Sequence, residues 1–160
     1  MAPPAHERPV IAVLHGVNLD QLGKRDPGHY GALTLAELEA AVVEWGAELG
    51  FGVECFQTNH EGEFVEKLHA LRGQAAGVIL NPGAWTHYAY AIHDALEITA
   101  LPAVEVHLSD VESRDAWRQV SVIRPLCFAT VTSKGPEGYR EALELLDRAD
   151  GSKIRHRIRQ

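Results

Sequence analysis

The run Gly77-Val78-Ile79-Leu80 carries no polar side chain and is followed at once by Asn81-Pro82-Gly83-Ala84-Trp85-Thr86-His87. A strand with one wet face alternates polar and apolar residues. A strand covered on both faces stays apolar throughout, as in parallel sheets. Gly77–Leu80 reads as the second kind, ending in a polar loop. Working outward, short and largely apolar runs recur at Val10–Leu14, Val53–Phe56, Ala103–Val106 and Cys127–Val131.

Amphipathic stretches lie between these runs. Thr34-Leu35-Ala36-Glu37 has capping-box spacing, with Thr34 as N-cap and Glu37 three residues on. Leu38, Val42, Val43, Trp45 and Leu49 follow mostly on one face, and Gly50 stops the helix. Further helices are predicted over Glu61–Leu71, Tyr88–Ile98 and Pro136–Arg148, with a short one after Ser113. Strands alternating with helices predict an α/β fold, a doubly wound five-stranded parallel sheet in the flavodoxin-like order 2-1-3-4-5.

The chain has 160 residues, enough for one domain. We expect a flexible N-terminus over 1–9, a single flavodoxin-like catalytic domain over 10–148 and a basic C-terminal tail over 149–160. The first 150 residues hold 11 basic and 22 acidic side chains, a balance of −11. An acidic body is a poor partner for nucleic acid, whose phosphates must be neutralised. No run approaches the ~20 apolar residues that span a membrane, and residues 1–9 lack the apolar middle of a signal peptide. Cys55 and Cys127 lie in apolar runs and read as free thiols. A cytoplasmic protein is expected.

Ligands of open α/β sheets bind beyond the carboxyl ends of the strands. His15, Gly16 and Asn18 follow the first strand, Asn81 through His87 the third, and Glu105-Val106-His107-Leu108-Ser109 closes the fourth. These strands are neighbours in the expected order, so their polar residues converge. The loop from Gly16 to Gly31 exceeds the usual ~2–6 residues of a βα connection. It carries Gly23, Lys24, Arg25, Gly28 and Tyr30 and reads as a lid. Each residue also has an ordinary reading: Tyr30 at the surface, Arg25 paired with Asp26 or Asp20, His107 a satisfied strand-end histidine, Asn81 a turn cap. No dinucleotide or P-loop motif occurs, and no local spacing suits zinc. Spacing alone does not name a reaction.

The run from His15 through Asn18, Gly23, Arg25, Pro27 and Tyr30 to Gly31 resembles the first motif of the type II 3-dehydroquinate dehydratases. Four more segments resemble that family in order: Phe56–Glu63; Leu80–Tyr88 with Asp94; Glu105–Ser109 with Arg114 and Arg118; and Gly138-Tyr139. The resemblance covers residues 9–147. It implies dehydration of 3-dehydroquinate to 3-dehydroshikimate by anti elimination through an enolate, as in the shikimate pathway, with no metal or organic cofactor. It implies Tyr30 as base, Arg25 lowering the Tyr30 pKa, Asn18 steadying the enolate, and His107 as general acid oriented by Glu105. Asn81, His87 and Arg118 would hold substrate hydroxyls. The Leu108 and Ser109 amides would grip the carboxylate, and Asp94 would reach a neighbouring subunit in a dodecamer built from trimers.

The chain departs from the family pattern at His15 (commonly Asn), Val17, Asp20, His93, Asp110 and Ser133-Lys134-Gly135. Two alternatives stand beside the dehydratase. One is a paralogue acting on an amino analogue of 3-dehydroquinate in secondary metabolism. The other is a non-catalytic flavodoxin-like binding module. Against the module, the third strand ends in Asn81 rather than a phosphorylatable Asp, and Gly16–Asp20 lacks the Ser or Thr of a flavin-phosphate loop.

Overall fold

A computed structural model describes residues 4, 7–24, 32–109 and 115–149, and the backbone of 150–156. Its sheet has five strands: β1 (Val10–His15), β2 (Gly52–Gln57), β3 (Gly77–Asn81), β4 (Ala103–Val106) and β5 (Ala129–Val131). Their spatial order is β2-β1-β3-β4-β5 and every pairing is parallel, as the alternating pattern predicts. The α-helices described are α1 (Leu35–Glu48), α2 (Glu61–Leu71), α3 (Tyr90–Thr99) and α4 (Glu137–His156).

Successive strand residues face opposite sides of a sheet, so apolar runs supply two cores at once. Ile11, Val13, Ile79, Val104 and Val106 pack with Leu38 and Val42 of α1 and Leu143 and Leu146 of α4. Ala12, Leu14, Val78 and Leu80 pack with Phe64 and Leu68 of α2 and Ile92 and Leu96 of α3. The inner strands β1, β3 and β4 are buried almost throughout, whereas β2 and β5, at the sheet edges, are largely half-buried.

The helix signals act as expected at α1. The Thr34 hydroxyl oxygen accepts from the Glu37 amide at 3.2 Å, and its O–H donates to the Glu37 carboxylate at 3.0 Å. At the other end Phe51 N–H bonds to the Gly46 carbonyl across Gly50, whose φ is 85°. Val43, grouped with the apolar face in the sequence, is instead 45% exposed.

Three boundaries differ from expectation. The Gly83–His87 segment forms a 3₁₀ helix of its own before α3 begins at Tyr90. Strand β5 starts at Ala129, because Cys127 caps a 3₁₀ turn over Arg124–Leu126. Helix α4 continues past Arg148 to His156, since a single interior glycine, Gly151, weakens a helix by only about 1 kcal/mol without stopping it.

Candidate active site

The carboxyl ends of β1, β3 and β4 form the floor of the site. His15 at the end of β1 lies in register between Gln57 of β2 and Asn81 of β3. The chain beyond β1 then presses onto the chain beyond β3. Gly16 N–H donates to the Asn81 carbonyl at 2.8 Å. A Cβ on Gly16 would overlap the Pro82 carbonyl, and one on Gly83 (φ +66°) would fall 2.6 Å from the Val17 carbonyl oxygen. Both loops therefore depend on glycine for backbone-to-backbone contact.

Asn18 sits just beyond this contact, exposed, in the left-handed region at φ 68°. Asparagine tolerates that conformation better than most residues. Its backbone N–H donates to Asn59 Oδ1 at 2.8 Å, and Asn59 in turn receives from Gln57 and donates to Asp20. Polar groups after β2, assigned no role in the sequence, thus hold the turn that carries Asn18. Asn81 is buried, and its Oδ1 accepts from Gly83 N–H at 3.1 Å.

His107 follows β4 directly and is anchored by its N–H donating to the Val131 carbonyl at 2.9 Å. Its Nε2 lies 2.9 Å from Glu105 Oε1, and both residues are buried. Burial by itself would raise the Glu105 pKa. Hydrogen bonds from His107, Ser121 and Thr86, with the His107 charge, outweigh it and hold the carboxyl down at about 2. Glu105 is therefore a carboxylate, an acceptor only, so the His107 nitrogen facing it bears the proton. Thr86 Oγ1 donates to Oε1 at 2.7 Å and Ser121 Oγ at 2.6 Å. Thr130 donates to Oε2 at 3.3 Å, and Arg124 Nε stands 3.7 Å from it.

Sequence reasoning missed Thr86, Ser121, Arg124 and Thr130. Thr130 left one legible signal, a lone hydroxyl inside an apolar strand run. Ser121 and Arg124 left none, since only the fold brings their loop over β4.

His87 ends the 3₁₀ helix after β3. Its Nδ1 is 2.6 Å from the Val120 carbonyl, and its ring meets Trp117 edge-on at 5.1 Å. Burial lowers its pKa, and the charges of His107 and Arg118 push the same way against the Val120 bond. His87 is thus a neutral imidazole that donates through Nδ1 and leaves Nε2 to accept. Arg118 stands over Trp117, its guanidinium carbon 4.1 Å from the ring centre, with Nε 3.7 Å from Asp115. Leu108 and Ser109 continue from His107 half-buried, and the Leu108 carbonyl accepts from Gly135 N–H at 3.2 Å.

Asn18, Asn81, His87, Glu105, His107, Leu108, Ser109 and Arg118 thus lie around one edge of the sheet. Asp94 does not join them: it lies on the exposed side of α3, paired with His93 at 3.0 Å. Arg25 and Tyr30 lie outside the described residues. His15 also departs from the convergence expected of it. It shares a face with Ile11 and Val13, so its ring enters the layer under α1 and α4, 6.0 Å from the Tyr139 ring.

A sequence model of the family described as dehydroquinase class II matches residues 9–147. The chain belongs to that family. A 3-dehydroquinate dehydratase from Syntrophotalea carbinolica is 50% identical over 134 residues, spanning 83% of this chain and 90% of that protein. The 3-dehydroquinate dehydratase 2 of Pseudomonas putida is 45% identical over 136 residues, 85% of this chain and 91% of the relative. The crystal structure of the type II dehydroquinase from Propionibacterium acnes superposes with a TM-score of 0.83 at 39% identity, covering 86% of this chain and 94% of that one. The enzyme from Butyrivibrio crossotus gives 0.85 at 36% identity, over 88% and 98%.

The matched region ends inside α4 and takes in all five strands. Among the described residues no helix is long and apolar enough to cross a membrane.

Proposed function

We propose that this chain is a 3-dehydroquinate dehydratase of the type II kind, a hydro-lyase forming 3-dehydroshikimate. The observation that carries the reading is the buried Glu105–His107 pair, at the strand edge that also bears Asn81, within a chain of this family. In this reading the Tyr30 phenolate removes the proton next to the ketone. A free tyrosine titrates near 10, so it needs Arg25 beside it. The enolate is steadied near Asn18. The His107 imidazolium, whose Nε2–H is spent on Glu105, gives its Nδ1 proton to the departing hydroxyl. Water leaves, and the new double bond is conjugated with the ketone. Asn81, Arg118 and the Nε2 acceptor of His87 hold substrate hydroxyls, while the Leu108 and Ser109 amides take the carboxylate.

These steps need only side chains and backbone amides of this chain. The relatives' names favour 3-dehydroquinate itself over an amino analogue. The reading also includes a cytoplasmic enzyme and a homo-oligomer, a dodecamer assembled as a tetramer of trimers, in which Asp94 reaches a neighbour's site. Exposed Tyr88, Tyr90 and Ile98 beside Asp94 favour assembly, since such apolar surface is usually covered.

The test is to add purified protein to 3-dehydroquinate in EDTA and follow the ultraviolet band of the conjugated enone. The band should grow in proportion to enzyme, and Tyr30→Phe should abolish it with the fold intact. Substantial turnover by that variant would overturn the base assignment. A kcat/KM higher for the amino analogue would move the chain to the paralogue.

A further inference from the structure

Beneath the proposed reaction site lies a polar cluster that the elimination does not use. His15 is fully buried, and among the described residues neither ring nitrogen has a hydrogen-bond partner. Buried imidazole nitrogens are ordinarily paired. Its Nε2 stands 3.3 Å from Glu39 Oε1 of α1 without hydrogen-bond geometry. Cys55 of β2 completes the group: the three ligand atoms all lie within 4.8 Å of one another, on three separate elements.

We propose that His15, Glu39 and Cys55 form a binding site for a single borderline-soft divalent cation of the zinc class, with water in the fourth position. The distances suit tetrahedral coordination. Bonds of about 2.0–2.2 Å to nitrogen and oxygen place two such ligands about 3.3–3.5 Å apart, and the His15–Glu39 separation already meets this. The longer bond to sulfur, about 2.3 Å, puts Sγ about 3.6 Å from the other two ligand atoms, inside the 4.8 Å that bounds the cluster. A neutral imidazole, a carboxylate and a thiol form a mixed donor set that suits zinc and cobalt better than magnesium or calcium. Glu39 is 30% exposed and gives the ion an entry route. On binding, the Cys55 thiol loses its proton to solvent and its sulfur takes the metal instead. The cation gives the buried imidazole the partner it otherwise lacks, and it ties α1 to β1 and β2. The site has no part in the elimination.

Cobalt(II) titrated into the metal-free wild-type chain tests this without substrate. The expected result is saturation at one equivalent per chain, with a near-ultraviolet thiolate-to-cobalt band and intense visible bands of tetrahedral cobalt, all displaced by zinc. Cys55→Ser should remove the thiolate band, while Glu39→Gln, at a partly exposed position, should weaken binding at least tenfold with the fold intact. Absence of the band in the wild type would overturn the site. So would a band unchanged in both variants, or one lost only in Cys127→Ala. A simple His15–Glu39 ion pair predicts no thiolate band at all.

Discussion

The Glu105 carboxylate and the His107 imidazole, separated in the chain by Val106 alone, meet at 2.9 Å. Alternate residues of an extended strand share a face, and the His107 amide keeps the chain extended just past β4 by bonding to the Val131 carbonyl of β5. Three hydroxyls hold the carboxylate in place, from the loop after β3, the segment before β5 and β5 itself. The imidazole is thus oriented by a group that is itself fully ligated.

Glu105→Gln tests that arrangement. The amide keeps the shape and an acceptor oxygen for His107, but it removes the negative charge that supports the imidazolium and puts an NH2 group where Thr130 and Arg124 need an acceptor. kcat for dehydration should fall about 10²-fold or more, within the ~10²–10⁴ carried by a general acid, with KM changing much less. Steady-state kinetics beside a circular dichroism spectrum would check this; an unchanged kcat would remove Glu105 from the site.

Acid stability follows from the same carboxyl. Glu105 titrates at about 2 in the fold against an ordinary 4.5. The unfolded chain therefore takes up this proton first as pH falls. The stabilisation is fully present above about 4.5 and is lost as pH drops toward 2, an effect of about 3 kcal/mol. Urea unfolding between pH 7 and 2.5 should show this loss in the wild type and lack that component in Glu105→Gln.

Gly16→Ala should be costly for a reason unrelated to charge. The new methyl group would overlap the Pro82 carbonyl, and backbone cannot move aside as a side-chain tip can. A loss of about 2–3 kcal/mol is expected, lowering Tm by about 5–10 °C for a chain of this size. Activity should fall as well, because the displaced segments carry Asn18 and Asn81. Differential scanning calorimetry with kinetics would expose the effect, and a Tm within 1–2 °C of the wild type would contradict it.

Cys55 and Cys127 should be poor nucleophiles. Burial pushes both thiols up to about 12, so the thiolate is scarce at pH 8. Alkylation of the metal-free folded chain should be about 10²-fold slower than that of free cysteine. Timed iodoacetamide labelling read by mass spectrometry would settle it, and rapid labelling of either residue would show that its segment opens readily.

The apolar runs, the Thr34 cap and Gly50 made the elements legible, and the parallel order followed from strands covered on both faces. Glu105 and His107 could be paired from sequence because two positions apart at a strand end keeps them close. The rest of the cradle could not. Thr86, Ser121 and Thr130 are ordinary hydroxyl residues until three connections fold over the same carboxylate.

Residues 15, 39 and 55 show the same divide. Local spacing reveals metal sites built on one turn or one helix, and these ligands come from a strand end, a helix and an edge strand. The amino-acid sequence by itself determined the element order, the two-sided core and the family motifs, because hydrophobic periodicity and capping are local properties of the chain. Only the tertiary structure decided which face each strand-end side chain took. It sent His15 under α1 and α4 and set Glu105 amid its hydroxyl donors, because that choice depends on strand register and on loops distant in sequence packing against one another.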